Sequence, residues 1–223
     1  MKTLSLVKTY DGSYTVRDSS VNETMHTASG ALTEAFVRFV LPASNFILRK
    51  RRLVVFDICF GLGYNTGALL HYWLEHKAEN SELEIYGFES NCKVISIMKK
   101  IKVPEEIQAE YEAIKMLAAT KLISIERVKV KLVFMDFRKG LKQTAKKADI
   151  VFFDPYSPGK VPELWNRDVF SALYNNMGSE SQLNTFSCAG WVRKNMETAG
   201  FRIVDGPVFG KRGPSTIAIK ELI

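Results

Sequence analysis

Residues 53–67 constrain the fold of this chain more than any other stretch. Its first six residues are apolar or β-branched apart from Asp57, which is typical of a strand buried on both faces of a parallel sheet. Gly61 and Gly63 follow at once, and residues 65–73 then have the pattern of a helix with a polar start. Glycines let the backbone approach a ligand, and a helix start offers free N–H groups. The unit therefore predicts a nucleotide-binding corner.

The spacing of the glycines narrows the choice of ligand. A dinucleotide fingerprint needs a third glycine where this chain has Thr66. The order Asp57-x-Cys59-x-Gly61-x-Gly63 instead resembles the acid-x-Gly-x-Gly-x-Gly loop of methyltransferases that use S-adenosylmethionine (SAM), with Cys59 replacing the first glycine. The alternative is a purely structural tight turn. The cysteine matters little if its φ is negative and strains the turn if its φ is positive.

The composition suits one globular domain with a full hydrophobic core. The chain has 223 residues, of which 46% are hydrophobic and 25% are charged. Its net charge of +7 favours an anionic partner, most commonly nucleic acid. A basic protein without such a partner has the same balance.

The cysteines and histidines predict neither a disulfide framework nor a metal site. The three cysteines are an odd number without a C-x-x-C pair, which fits a reducing cytosol. His71 and His76 are five residues apart, so they lie on different faces of a helix. The N-terminus lacks a signal-peptide core, and no apolar run approaches the length of a membrane span. We therefore expect a cytoplasmic protein without metal or membrane partners.

Strand and helix patterns alternate along the chain. Residues 4–8 and 13–17 flank an Asp-Gly pair and predict a hairpin. Residues 31–41 have helical spacing and are expected to stop before Pro42. Further strands are expected at residues 83–88, 128–135, 149–153, 182–187, 201–204 and 216–220, with helices between most of them.

This order predicts a Rossmann-like, doubly wound α/β sheet with an antiparallel last strand. We expect residues 1–50 to form a small extension of hairpin and helix, and residues 51–223 to form a SAM-dependent methyltransferase domain. Residues 104–124 also have helical spacing and are interpreted as an insertion or an extended crossover, without chemistry.

Acidic residues follow three of the predicted strands. Glu89 comes after the second core strand, where an acid can accept hydrogen bonds from both ribose hydroxyls of a nucleoside. An exposed loop acid is the alternative. Asp136 and Phe137 follow the third strand, where they would meet the amine and the ring of adenine, and Asp154 follows the fourth. With the glycine loop, these residues fall on the carboxyl edge of one sheet, where ligands bind in such folds.

The sequence Asp154-Pro155-Tyr156 resembles the Asp/Asn-Pro-Pro-Tyr/Phe loop of amine methyltransferases. Methyl transfer needs a neutral amine lone pair in line with the methyl group. A carboxylate can aim that lone pair and stabilise the positive charge that grows on nitrogen. The tyrosine ring can stack on the substrate or face the developing cation. The alternative is a turn that merely uses Asp and Pro, with the tyrosine in the core.

Residues 154–165 resemble a block of the MnmC-type methyltransferases, Asp-Ala-Phe-x-Pro-x-Lys-x-Pro-x-Leu-Trp. These enzymes finish 5-methylaminomethyl-2-thiouridine at the tRNA wobble position. Residues 56–65 are similar to the family's glycine loop, and residues 29–34 to its Ser-x-Gly-x-x-Glu segment. Residues 185–201 and 210–212 resemble its C-terminal blocks, so the resemblance spans most of the chain from about residue 29.

The resemblance implies a Rossmann-like enzyme that uses SAM to methylate the primary amine of 5-aminomethyluridine in the anticodon arm of tRNA. In many bacteria the family is fused to an FAD-dependent oxidase. This chain is too short for that partner, so we expect the stand-alone form. Pro155-Tyr156 replaces the family's Ala-Phe, which keeps an aromatic ring, stiffens the loop and adds a hydroxyl.

The resemblance also assigns roles to residues. Asp154 and Tyr156 would hold the amine and the base. The cofactor would be held by Asp57, Cys59, Gly61, Gly63, Asn65, Thr66, Glu89, Asp136, Phe137 and Asp154. The substrate or tRNA would be contacted by Glu34, Lys160, Trp165, Arg193, Lys211 and Arg212. Alternatively, the basic residues are simply solvated and contact no partner, and Trp165 packs in the core.

Two rival functions stay open at this point. A methyltransferase or aminopropyltransferase acting on a small amine would use the same Asp154 arrangement, and its basic surface would be incidental. A non-catalytic RNA-binding module would bind tRNA without binding SAM. The intact series of acids argues against the second rival.

Overall fold

The computed structural model describes residues 3–210 and 212–222. Two sheets and eight α-helices account for most of them. In chain order the N-terminal elements are β1 (Leu4–Lys8), β2 (Tyr14–Asp18), β3 (Glu23–Thr24), α1 (Ala31–Glu34) and α2 (Ser44–Arg49). The next are β4 (Arg52–Ile58), α3 (Tyr64–His76), β5 (Glu82–Glu89), α4 (Cys92–Met98), α5 (Gln108–Thr120), β6 (Leu122–Ile125) and β7 (Val128–Phe134). The last are α6 (Phe137–Gln143), β8 (Ala148–Phe153), α7 (Arg167–Asn175), β9 (Met177–Thr185), α8 (Gly190–Thr198), β10 (Arg202–Val208) and β11 (Pro214–Lys220).

The larger sheet has eight strands in the order β10-β11-β9-β8-β4-β5-β7-β6. The five central strands from β9 to β7 run parallel to one another. The last strand, β11, lies between β9 and β10 and is antiparallel to both. The predicted doubly wound α/β fold with an antiparallel last strand is therefore confirmed. A separate three-stranded antiparallel sheet, β1-β2-β3, contains the predicted hairpin.

The edge strand β6 was not predicted, since residues 104–124 have helical spacing. Lys121 ends α5 in the left-handed conformation, at φ 59°, and turns the chain back onto the sheet. The four residues that follow pair antiparallel with β7. Four residues are too few for an alternating pattern to appear in the sequence.

The helix after β3 continues beyond its predicted end. Residues Ala35–Val40 form a π-helical turn, Leu41–Ala43 a 3₁₀ turn, and α2 completes the segment. Pro42 falls at the start of the 3₁₀ turn, where a missing N–H costs no hydrogen bond. The prediction that the helix stops before Pro42 is therefore wrong.

This irregular helix lies against the sheet. The side-chain amides of Asn184 and Gln182 on β9 donate to the carbonyls of Phe39 and Pro42, at 2.7 Å and 2.9 Å. Contrary to expectation, Ala31–Arg49 is long and apolar enough to cross a membrane, the one such stretch among the described residues. Half of it is buried inside the protein, and helices in globular cores have the same composition.

Hydrophobic residues cover both faces of the larger sheet. On one face, α3, α4, α5 and the helix before β4 form a cluster that also includes Val16 of the small N-terminal sheet. On the other face, α6, α7 and α8 pack around Trp165 and Phe153. The N-terminal segment thus shares a core with the rest of the chain.

A ring-for-glycine contact fixes the loop between β4 and α3. Gly87 of β5 has no side chain, and the ring of Phe60 occupies that space. A Cβ at Gly87 would lie 2.3 Å from Phe60 Cδ2. The Phe60 N–H also donates to the Phe88 carbonyl at 2.9 Å. The loop is thereby seated on the carboxyl edge of β5.

Substituting Gly87→Ala should lower the free energy of unfolding by about 1–3 kcal/mol, because the new methyl group displaces the Phe60 ring. Chemical denaturation measures this. Gly178→Ala in β9 is the matched control, since its Cβ would meet only a carbonyl oxygen at 3.8 Å. Equal stabilities of the two variants would contradict this account of the loop.

Candidate active site

A cavity of about 240 Å³ opens at the carboxyl ends of β4, β5 and β8. The loop after β4 forms its floor, and residues that follow β3 form one wall. It is lined by Met25, His26, Cys59, Phe60, Gly61, Tyr64, Asn65, Glu89, Ser90, Asn91, Val94, Asp154, Pro155, Tyr156 and Leu164. Of the residues predicted to bind the cofactor or substrate, six line this cavity: Cys59, Gly61, Asn65, Glu89, Asp154 and Tyr156.

The floor loop uses the left-handed backbone region three times. Cys59, Gly61 and Gly63 have φ values of 62°, 57° and 81°. The turn therefore does need positive φ at the position where Cys59 replaces glycine, at a cost of about 1–2 kcal/mol for a non-glycine residue. Gly63 does not line the cavity. A Cβ there would lie 2.9 Å from atoms of Ile114 and Phe60, so its role is to let α5 pack closely.

Asp57 and Thr66 lie beneath this loop and do not line the cavity. Both are completely buried, and the Thr66 hydroxyl donates to Asp57 Oδ2 at 2.7 Å. The other carboxyl oxygen of Asp57 has no hydrogen-bond partner. Burial raises the pKa of Asp57 to about 7. The structure thus gives the pair a role in tying β4 to α3, and not the predicted direct contact with the cofactor.

Glu89 is held in place by backbone donors. Its carboxylate accepts hydrogen bonds from the N–H groups of Gly61, Ser90 and Asn91 at 2.9, 2.8 and 2.7 Å. Burial raises its pKa. The side chain joins the glycine loop to the end of β5 and presents oxygen atoms to the cavity.

Asp154 and Asn65 meet on the opposite side of the cavity. The Asn65 side-chain amide donates to Asp154 Oδ2 at 3.1 Å. Burial, and then the negative charge of Glu34, raise the pKa of Asp154 well above its usual range. The Asn65 amide oxygen is buried and has no hydrogen-bond partner. A bound ligand with an N–H or O–H group at this point would satisfy it.

Tyr156 connects the cavity to the N-terminal sheet. Its hydroxyl donates to Asp18 Oδ2 at 3.2 Å, and its backbone carbonyl accepts a hydrogen bond from the Trp165 indole at 2.9 Å. Trp165 has no exposed surface, so it packs in the core, which is the alternative given for it, and does not contact the substrate as the resemblance implied. The indole instead holds the loop that carries Tyr156.

Asp136 and Phe137 lie at the same sheet edge but do not line the cavity. Asp136 caps α6 and forms an ion pair with Arg138 at 2.5 Å. Phe137 is buried and packs edge-on against Phe153. The structure therefore does not place them as direct contacts of a ligand in this cavity.

The predicted tRNA contacts are scattered. Arg193 is paired inside the protein, with Asp205 at 2.7 Å and with the Thr216 hydroxyl at 2.9 Å, so it is not a free phosphate contact as predicted. Lys160 and Arg212 are exposed. Lys211 lies outside the described residues.

Glu34 is buried in an ion pair with Arg38 and accepts a hydrogen bond from the Thr27 N–H at 2.8 Å. It lines a neighbouring cavity of about 260 Å³, which shares Met25 and His26 with the first. Glu34 therefore lies next to the site but does not line the cavity above the floor loop.

Sequence reasoning missed the wall that the N-terminal sheet provides. His26 is held by Thr15, whose hydroxyl lies 3.0 Å from Nδ1, and it packs edge-on against Tyr64. The Tyr64 hydroxyl accepts a hydrogen bond from the Tyr14 N–H at 3.2 Å. Residues 19–29 are polar and have no recognisable pattern, so the sequence does not predict that they form a wall of the cavity. That position results from the packing of β2 against α3.

The titratable lining of the cavity is mainly acidic, which suits a cationic ligand. Glu89 and Asp154 line it, and Asp57 lies beneath its floor. Burial raises the pKa of the Cys59 thiol, and the negative charges of Glu89 and Asp154 add to this effect. A sulfonium or an amine is therefore favoured here, and a phosphate is disfavoured.

The chain matches a family of S-adenosyl-L-methionine-dependent methyltransferases over residues 99–221, and it belongs to that family. SAM is accordingly its cofactor. The site fits this group, because the unpartnered Asn65 oxygen and the acids suit the cation, and Glu89 presents carboxylate oxygens to the cavity. The fit rests on the cavity residues and not on the glycine pattern alone.

Individual proteins with similar sequences show which methyltransferases this chain resembles. An uncharacterised protein of Methanocaldococcus jannaschii is 31% identical over 97% of this chain and 59% of its own length. The tRNA 5-methylaminomethyl-2-thiouridine biosynthesis bifunctional protein MnmC of an Azoarcus species is 28% identical over 86% of this chain. The chain spans 32% of that bifunctional protein.

Comparison with solved structures supports the same similarity. The crystal structure of MnmC2 from Aquifex aeolicus matches with a TM-score of 0.89 and 27% identity, covering 100% of this chain and 72% of that one. The resemblance to MnmC-type enzymes seen in the sequence is therefore confirmed. Spermidine synthase from Thermotoga maritima, with a TM-score of 0.64 over 100% of this chain and 71% of that one, shares the fold at 14% identity.

Substituting Asp57→Asn should make the protein more stable relative to wild type as pH rises. The folded protein raises the pKa of Asp57 to about 7, so wild type loses stability between the usual pKa of 3.8 and that value. Asparagine keeps an acceptor for Thr66 and does not ionise. Denaturant unfolding at pH 5.5 and pH 8.5 should show a difference that grows by about 2 kcal/mol. A difference that does not change with pH would contradict the assignment.

Proposed function

We propose that this protein transfers the methyl group of SAM to the primary amine of 5-aminomethyluridine, with or without a 2-thio group, at the wobble position of tRNA. The product would be the 5-methylaminomethyl nucleoside. The observation that carries the proposal is the half-buried carboxyl group of Asp154, which lines the cavity beside the glycine loop and accepts a hydrogen bond from Asn65. The similarity to MnmC proteins supports the choice of tRNA.

The reaction forms a nitrogen–carbon bond and breaks a carbon–sulfur bond. Bound SAM supplies an electrophilic methyl group on a positively charged sulfur. Asp154 accepts an N–H hydrogen bond from the amine, aims its lone pair and stabilises the positive charge that grows on nitrogen. An amine that arrives as an ammonium ion must first lose a proton. Asp154 is suited to take it, because burial makes the carboxylate more basic.

The neighbouring residues position the reactants. Asn65 restrains the Asp154 carboxylate through its amide and offers its free oxygen to the cofactor. Glu89, fixed by three backbone N–H groups, would accept the ribose hydroxyls. Tyr156, held between Asp18 and Trp165, places its ring against the base or the amine. Lys160 and Arg212 stay candidates for phosphate contact, and we place the activity in the cytoplasm.

The decisive assay supplies methyl-labelled SAM and total tRNA from a strain that lacks the final methylation, followed by nuclease digestion and nucleoside mass analysis. Label on 5-aminomethyluridine is expected. Label on a free polyamine and none on tRNA would favour the small-amine alternative. Binding of tRNA without any transfer would favour the non-catalytic alternative.

Substituting Asp154→Asn should lower kcat for tRNA methylation by about 10²–10⁴-fold, because the side chain keeps its shape and loses its charge. Wild-type activity should rise with pH through a range above that of an ordinary carboxyl group, as Asp154 loses its proton. The Asn variant should lack this rise and keep only the pH dependence that deprotonation of the amine itself produces. Single-turnover rates across pH measure both effects.

Asp168→Asn is the matched control, since this carboxylate is exposed on the first turn of α7 and lies outside the cavity lining. Its rates should equal those of wild type. Full activity of Asp154→Asn would overturn the proposed role of the carboxylate.

A further inference from the structure

The positive charge of this protein is concentrated in one stretch. Residues 127–147 contain eight lysines and arginines and one acid, a net charge of +7. This equals the net charge of the whole chain, so the other 202 residues balance, with 23 charges of each sign. The stretch comprises β7, α6 and the turn before β8. Whatever anionic partner the basic composition indicates should therefore meet this part of the molecule.

The strand and the helix display this charge on one side of the sheet. Val130 and Leu132 of β7 are buried in the core on the side of α5. Side chains alternate along a strand, so Lys129 and Lys131 lie on the opposite side, where α6 packs. Lys139 and Lys142 of α6 are three residues apart on the helix surface and are exposed. We call Lys129, Lys131, Lys139 and Lys142 the basic face.

The acids nearby are already paired with other residues. Glu84 is bound by Lys146 at 2.8 Å, and Asp136 by Arg138 at 2.5 Å. Within the part of the chain that the structure describes, none of the four lysines of the basic face takes part in an ion pair. Their charge is therefore available to an external anion.

The basic face begins beside the cavity. Helix α6 starts at the carboxyl end of β7, on the same sheet edge as the floor loop, and Lys139 lies in its first turn. The cavity itself is acidic and disfavours phosphate. A nucleic acid whose base enters the cavity therefore needs its backbone attracted from outside it, and the basic face offers that attraction.

We propose that the basic face binds the phosphate backbone of the tRNA substrate and so positions the anticodon arm over the cavity. The inference rests on the proposed function and names the surface that the substrate occupies. It differs from the contacts expected from the sequence, of which Arg193 is paired internally. Contacts of this kind fix position and carry most of the salt dependence of binding, without reading sequence.

The test replaces all four lysines of the basic face with glutamine. Affinity for tRNA is measured between about 50 and 200 mM salt. The slope of log affinity against log salt should become less steep by about 3–4 if all four lysines contact phosphates, given roughly 0.7–0.9 for each lost contact. KM for tRNA should rise at least tenfold, and methylation of free 5-aminomethyluridine nucleoside should keep the wild-type rate.

The matched control replaces four exposed lysines at the other side of the sheet, Lys93, Lys99, Lys100 and Lys102. It loses the same charge and should keep a slope closer to that of wild type. Equal slopes for the two quadruple variants, or a wild-type slope for the basic-face variant, would overturn the inference. If the wild-type protein binds tRNA but transfers no methyl group to it, the proposed function is contradicted. The salt slopes would still show whether the basic face binds tRNA. Tighter binding of an acidic polypeptide than of tRNA would also overturn the inference.

Discussion

The site depends on how one short loop is seated at the edge of the sheet. The ring of Phe60 fills the space left by Gly87, and the Glu89 carboxylate accepts the Gly61 N–H from the end of the next strand. Beneath the loop, Thr66 is hydrogen bonded to the buried Asp57. These contacts hold backbone in a left-handed conformation that a cysteine does not favour. The backbone strain is thus located in the floor of the cavity.

Acidic and basic side chains are concentrated in different parts of the molecule. The carboxyl groups of Glu89 and Asp154 line the cavity and that of Asp57 lies beneath its floor, and burial raises the pKa of all three. The excess positive charge lies outside, on β7 and α6. Under the proposed function, phosphates would be attracted to the second region and not to the first, so a polyanionic substrate would be held without crowding the reacting centre.

The small N-terminal sheet contributes a wall of the site and not merely an appendage. Tyr14 and Thr15 of β2 bind Tyr64 and His26, and Asp18 accepts the hydrogen bond of Tyr156. The irregular helix that follows is anchored to β9 by side-chain amides, which satisfy carbonyls near its π-helical and 3₁₀ turns. The shape of the cavity therefore depends on the N-terminal segment.

The sequence alone determined the order of strands and helices, the glycine loop and the acids at the strand ends, because these depend on local pattern and on the polarity of a parallel sheet. Tertiary structure decided which of those residues reach the cavity. Asp136 forms an ion pair with Arg138, and Trp165 is buried in the core. His26 lines the cavity although it belongs to a segment without a recognisable sequence pattern. Partners distant in the chain set these outcomes, and spacing along a sequence carries no information about such partners.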